Sequence, residues 1–195
     1  LVRDLDRGKL EGVETMMFIA DYLMYRLTGV IHQEITMAST SQLLDIHTKT
    51  WNFELIEKLG LPKHLFLPLT IPGTNLGNIL EPLPYEAQAI VTGSPDTASA
   101  FYGAKDRNNI IVSCGTWSLV GIHTHKPILN KASMDANFTH ELGTEGSIRF
   151  LKNIPGMWTF ELLRSAYDDL DYETIIGEAR LHPTDIILDL QDERF

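Results

Sequence analysis

The 195 residues carry 44% hydrophobic and 22% charged side chains, ordinary proportions for a folded chain long enough for one large domain or two small ones. Sixteen basic residues against twenty-six acidic ones leave a net charge of −10, which excludes the cationic face that sequence-independent nucleic-acid or anionic-membrane binding requires. A single cysteine excludes a disulfide framework and any cysteine-cluster metal site, and the longest apolar run, residues 16–20, falls far short of the roughly 20 that cross a bilayer.

Arg3, Asp4, Asp6 and Arg7 interrupt any hydrophobic leader, so the expectation is a soluble cytoplasmic protein. Residues 10–28 are predicted as one helix, because Met16, Ile19, Ala20, Leu23 and Leu27 recur at three- and four-residue steps and Gly29 stands where a C-cap glycine belongs. Residues 30–37 read as a short strand, and Ser39 or Thr40 as the cap of a short helix over 42–45. A helix over 52–59 turns Phe53, Leu55, Ile56 and Leu59 inward and ends at Gly60, with Pro62 opening another short turn. Residues 68–84 are broken by Pro68, Pro72, Gly73, Gly77, Pro82 and Pro84 into loops around one short strand near 76–80.

Residues 89–92 are a buried strand, 93–96 a turn, and 97–103 a helix of small residues. The polar segment 105–109 marks a domain boundary. Beyond it come two strand pairs, 110–114 with 117–122 around Gly115-Thr116 and 137–142 with 147–151 around residues 143–146, which predict an antiparallel or mixed sheet. Helices over 157–167 and 172–181 follow. Nine acids against Arg180 and Arg194 in the last 28 residues read as a solvated helix face and tail. A start at Leu1 and a stop at Phe195 read as the cut ends of a longer polypeptide.

Asp96 is the acid of most interest. It follows a strand and opens a helix, so backbone N–H groups stabilise its charge, and a carboxylate placed there serves either as a plain N-cap or as a general base. Gly115-Thr116 is either an ordinary hairpin turn or a phosphate contact, since glycine admits close approach and threonine offers an N–H and a hydroxyl. Cys114 reads as a small buried residue. His123 and His125 alternate at a strand end, and with His140 they form a metal-ligand trio of low weight. Trp51, Trp117 and Trp158 read as packing residues. Neither glycine fingerprint for nucleotides, G-x-x-x-x-G-K-[ST] or G-x-G-x-x-G, is present.

Four stretches together resemble the FGGY carbohydrate kinases: residues 36–66, from TMASTSQLLDIHTKTW to GLPKHLF; the DTASA segment from Asp96; SCGTWSL at 113–119; and Asn137-Phe138-Thr139 with RFLKNI at 149–154 and Gly156-Met157-Trp158. The last combination is similar to the rhamnulokinase branch of that family. The resemblance implies an α/β fold, part of a two-domain actin-like, ribonuclease-H-like sugar kinase. Residues 1–104 would close the sugar-binding first domain and 105–195 would open the nucleotide-binding second.

The resemblance also implies residue roles. Asp96 would be the base that deprotonates the sugar hydroxyl, with Asp96, Thr97 and Asn153 contacting the sugar. Gly115, Thr116 and Glu161 would contact the nucleotide. ATP and Mg²⁺ are the expected cofactors, with the Mg²⁺ ligands unassigned, and a small-molecule ketose, L-rhamnulose, is the expected substrate. No nucleic acid or membrane partner is expected, and the oligomeric state stays open. Relatives carry histidine where Pro95 stands, which keeps open another pentulose or hexulose, or a non-catalytic sugar-binding role. The family's first phosphate-binding strand and its glycine-rich adenosine segment lie outside these residues, so the chain alone is expected to be inactive.

Overall fold

The computed structural model of the chain describes residues 10–80, 84–104, 108–167 and 170–187. In the first half the organising side chain is Gln33, which is fully buried. Its Nε2 donates to the Met16 and Leu65 carbonyls at 2.8 Å each, and its Oε1 accepts from Leu67 N–H at 2.7 Å. These bonds hold residues 13–18 extended, so helix α1 runs only over Ile19–Thr28 rather than from residue 10. Gly29 closes it with φ 72° and donates to the Tyr25 carbonyl, as expected of a left-handed cap.

The apolar stripe predicted for α1 does not face the core. Ile19 is 77% exposed and Leu23 58%, while Asp21 and Thr28 are buried. Asp21 survives burial because it accepts from Glu34 N–H at 3.3 Å and lies 3.5 Å from His32 Nε2.

The strand expected over 30–37 is also corrected. Strand β1 is only Gln33–Glu34, and helix α2 begins at once, over Ile35–Thr40. The cause is the Glu34 carboxylate, which accepts from Thr36 N–H and Met37 N–H at 2.8 and 2.9 Å and so caps the helix from its own N-cap position. Ser39 and Thr40 lie inside α2, and no helix spans 42–45. Instead Leu44–Asp45 (β2) pairs antiparallel with Thr50–Trp51 (β3).

Helix α3, Phe53–Lys58, lies within the expected 52–59, with Asn52 as its cap, although Phe53 faces solvent. Its Ile56 joins Ala38, Trp51, Leu65 and Phe66 in the first core, where Trp51 meets Phe66 edge-on at 4.9 Å. Leu69–Thr70 (β4), unforeseen from the sequence, pairs parallel with β1, and Asn75–Asn78 (β5) pairs antiparallel with Gln88–Ile90 (β6).

Helix α4, Asp96–Gly103, leads to the second half. There Ile111–Cys114 (β7), Trp117–Thr124 (β8), Thr139–Leu142 (β9) and Ile148–Pro155 (β10) form one antiparallel sheet in the order β7-β8-β10-β9. All four strands expected from the turns at Gly115-Thr116 and 143–146 are present, with β8 and β10 running on to Thr124 and Pro155, beyond the predicted ends at 122 and 151. Lys131–Asp135 (α5) is a short helix with no periodic signal, capped by Asn130. Met157–Ser165 (α6) and Tyr172–Leu181 (α7) follow as predicted. Cys114 is exposed, not buried, because the edge strand β7 turns it to solvent. Trp117 and Trp158 are 58% and 56% exposed, so of the three tryptophans only Trp51 is a core residue.

At Gly121, in the middle of β8, a Cβ would stand 2.5 Å from both Leu151 Cβ and the Phe150 carbonyl oxygen. Gly121→Ala should therefore cost about 1–3 kcal/mol of stability, read as a lower urea midpoint.

Candidate functional site

Asp96 stands at the first position of α4, with Pro95 rather than Asp96 as the capping residue. Its Oδ1 accepts from Thr97 N–H at 2.6 Å and the residue is exposed. The plain N-cap role is therefore not the one it plays. The approach to Asp96 is fixed by two buried charges. From one side Glu34 Oε2 accepts from Ser94 N–H at 3.2 Å, in addition to its bonds within α2. From the other, Arg149 on β10 donates from one terminal nitrogen to Thr97 Oγ1 at 3.1 Å and from the other pairs with Glu141 Oε2 at 2.9 Å.

Arg149 is completely buried, under the Phe101 ring of α4 at 5.9 Å. Burial pulls its pKa below the ordinary value, while Glu141, Glu34 and Asp96 pull it back. A guanidinium keeps its proton through such a shift. Sequence reasoning passed over Arg149 as one letter of a motif. The available signal was its parity with Leu151, a buried apolar neighbour two residues along the same strand.

Arg149, Leu151 and Asn153 share one face of β10 by strand alternation. Asn153 is exposed and lies about 13 Å further along that face, at 3.3 Å per residue. The Gly115-Thr116 turn lies beyond it, at the end of the sheet where Trp117 pairs with Pro155. This turn is exposed and is docked on the start of α6: Met157 N–H donates to the Gly115 carbonyl at 2.9 Å and Trp158 N–H to the Thr116 carbonyl at 3.2 Å. An apolar hollow of about 490 Å³ adjoins it, lined by Thr116, Trp117, Pro155, Trp158, Leu162 and Leu163 among others.

Glu161 does not line that hollow. Its Oε1 accepts from the Tyr172 hydroxyl at 2.5 Å and its Oε2 from Arg164 at 3.1 Å, and these two partners, Tyr172 first, hold its carboxyl below the usual range. The structure thus joins Asp96 to Thr97, lays Asn153 on the Arg149 face, and sets Gly115 and Thr116 at the far end of the strand.

The histidine trio does not assemble. His123 pairs in register with Arg149, and its Nε2 lies 3.0 Å from the Phe101 carbonyl oxygen. His140 pairs with Phe150, on the opposite sheet face, and accepts from Ile128 N–H. Among the described residues no group of three His, Cys, Asp or Glu could hold a metal ion. Mg²⁺ is ordinarily held by one or two carboxylates together with substrate phosphates, so it does not need such a cluster. The exposed Gly115-Thr116 turn, with the Thr116 amide and hydroxyl and no side chain at Gly115, fits a phosphate.

Asp21 offers a pH test. Burial, opposed by His32, raises its pKa above the ordinary 3.8. The folded state therefore holds this proton more tightly than the unfolded chain. The contribution is fully present below 3.8 and is lost as pH rises through the folded value. Asp21→Asn should gain stability relative to the native chain as pH rises, read from urea midpoints at pH 4 and pH 7.

The model of the FGGY family of carbohydrate kinases, N-terminal domain, matches residues 2–103. The chain belongs to the FGGY family. Rhamnulokinase from Oceanobacillus iheyensis is 35% identical over 192 residues, covering 95% of this chain and 41% of that protein. Rhamnulokinase from Bacillus subtilis is 38% identical over 199 residues, covering 97% and 41%. The chain thus spans about two fifths of the length of these relatives.

Among solved FGGY-type structures, ligand-bound xylulose kinase from Lactobacillus acidophilus superposes with a TM-score of 0.75 at 18% identity, covering 93% of this chain and 38% of that one. Gluconate kinase from the same organism gives 0.72 at 19%, with the same coverage. At that identity the likeness is one of fold, and it makes the chain a part of the two-domain sugar-kinase fold that the motifs implied. No helix among the described residues is long and apolar enough to cross a membrane.

Proposed function

We propose that the polypeptide carrying this chain transfers the γ-phosphoryl group of ATP to the primary hydroxyl of a ketose, L-rhamnulose, to give L-rhamnulose 1-phosphate. The observation that carries the reading is Asp96: an exposed carboxylate at the start of α4, with one oxygen held by Thr97 N–H, in a chain of the FGGY family. Rhamnulokinases at 35–38% identity support the choice of sugar.

In this reading residues 1–104 form the sugar side and 105–195 the nucleotide side. Residues 105–107 of that junction lie outside the described ones. Asp96 accepts the proton of the sugar hydroxyl as its oxygen takes the phosphoryl group. Arg149 occupies a lone pair of the Thr97 hydroxyl, which leaves that hydroxyl's proton to donate to a sugar oxygen. Asn153 adds an amide on the same sheet face. The Gly115-Thr116 turn holds the phosphates with the Thr116 N–H and hydroxyl, and Glu161 contacts the nucleotide from α6. Bound ATP supplies the phosphoryl group, and Mg²⁺ offsets its charge. Such a reaction depends on positioning and electrostatics more than on covalent steps.

The test is a coupled ADP-release assay on the full open reading frame across a panel of ketoses. L-rhamnulose should give the highest kcat/KM. Pro95 has no N–H to offer a sugar, and a clear preference for another pentulose or hexulose would replace L-rhamnulose with that sugar.

A further inference from the structure

Gly156 sits between β10 and α6, directly behind the turn assigned to phosphates. A Cβ built on it would stand 2.6 Å from the Gly115 carbonyl oxygen, 2.7 Å from Ser118 N and 2.7 Å from the Trp117 carbonyl carbon. All three are main-chain atoms of the turn and of the strand that leaves it. None can rotate aside as a side-chain tip could. Gly156 has φ −114°, so left-handed backbone is not what requires glycine here. The requirement is contact. By comparison, a Cβ at Gly115 would meet only the Trp117 carbonyl oxygen at 3.5 Å, an ordinary separation.

The second observation is the pair of hydrogen bonds from α6. Met157 and Trp158 are the first two residues of a nine-residue helix, where backbone N–H groups lack partners within the helix. Both donate to the turn, to the carbonyls of Gly115 and Thr116. With both carbonyls bonded to α6 and Thr116 exposed, the Thr116 N–H and hydroxyl are the groups of the turn that remain for a polyanion. Within the turn, Gly115 N–H is already committed to the Trp117 carbonyl at 2.9 Å.

We propose that Gly156 is a positioning residue for nucleotide binding: its bare Cα lets α6 seat against the Gly115-Thr116 turn and hold the Thr116 N–H and hydroxyl towards the phosphates. The inference rests on the reading of that turn as a phosphate contact. Any side chain at 156 must push helix and turn apart by about 1 Å to reach ordinary contact, enough to break a hydrogen bond to a charged phosphate, a loss of about 10–10²-fold in affinity.

The experiment uses the full open reading frame and titrates ADP with Mg²⁺, and separately L-rhamnulose, by calorimetry. Gly156→Ala should weaken ADP binding about 10–10²-fold and leave ketose affinity unchanged. If that variant does not fold, Met157→Pro carries the test. Proline suits the first helical position, yet it replaces the N–H that holds Gly115 with a methylene the carbonyl must move away from. Gly121→Ala is the control, a main-chain clash within the same sheet but away from the turn. It should lower the melting temperature and leave ADP affinity as it was. Native ADP affinity in folded Gly156→Ala and Met157→Pro, equal losses for ADP and ketose, or no ADP binding by the native protein would each overturn the proposal. A native protein that binds ADP, loses that affinity in Gly156→Ala and phosphorylates no ketose would uphold it and instead sink the ketose-kinase reading.

Discussion

Asp96→Asn in the full open reading frame should lower kcat by about 10²–10⁴-fold, the usual contribution of a positioned general base. Fold and sugar binding should survive. Asp96 is exposed, and the amide oxygen of asparagine can still accept the Thr97 N–H that the carboxylate accepts at 2.6 Å. What asparagine cannot do is take a proton from an alcohol. A coupled assay for turnover and calorimetry for ketose binding therefore separate chemistry from recognition. Retained turnover would make Asp96 a helix-start residue and return the chain to a sugar-binding role without catalysis.

The largest effect on stability should come from Arg149→Met, with a loss of about 3–5 kcal/mol, because the substitution strands one member of a buried ion pair. Arg149 is fully enclosed and its partner Glu141 nearly so, at 12% exposure. Removing the guanidinium also takes a donor from Thr97 and leaves the Leu142 carbonyl without its 3.4 Å contact. The double variant Arg149→Met with Glu141→Leu should recover much of the loss, since replacing both charges by apolar groups removes the desolvation cost as well as the attraction. Urea unfolding of the two single variants and the double closes the cycle. Ketose affinity should stay weakened in the double variant, because the Thr97 hydroxyl is no longer oriented. Equal stability of native protein and Arg149→Met would remove Arg149 from the frame that holds α4.

The parts of this fold that were legible in sequence are those decided locally. Gly29 and Gly60 end their helices with φ of 72° and 71°, and Asn52 starts one, each through short-range chemistry. The four strands of the larger sheet were marked by the turns between them, and α4 by the turn before it. What escaped depends on side chains acting across the fold. Ile35 and Thr36 are β-branched and suggest a strand, yet the Glu34 carboxylate starts a helix through them. The stripe on α1 suggested an inward face, yet Asp21 and His32 bury the other one.

The site divides in the same way. Asp96 and Gly115-Thr116 stood out because turn chemistry and motif coincide there. Arg149 and Gly156 did not, because one is defined by its partners on α4 and β9, and the other by an absent atom pressed against a distant turn.

β10 serves both ends of the site. It carries Arg149 near its start and Asn153 beyond its midpoint, and it delivers Pro155 and Gly156 to the Gly115-Thr116 turn. Its length and parity are therefore fixed from two directions. One residue inserted between Arg149 and Asn153 would rotate the asparagine to the reverse side of the sheet and carry the glycine out of step with its seat. A change of one residue in the length of this strand would break the register that ties Arg149 at one end to the Gly115-Thr116 turn at the other.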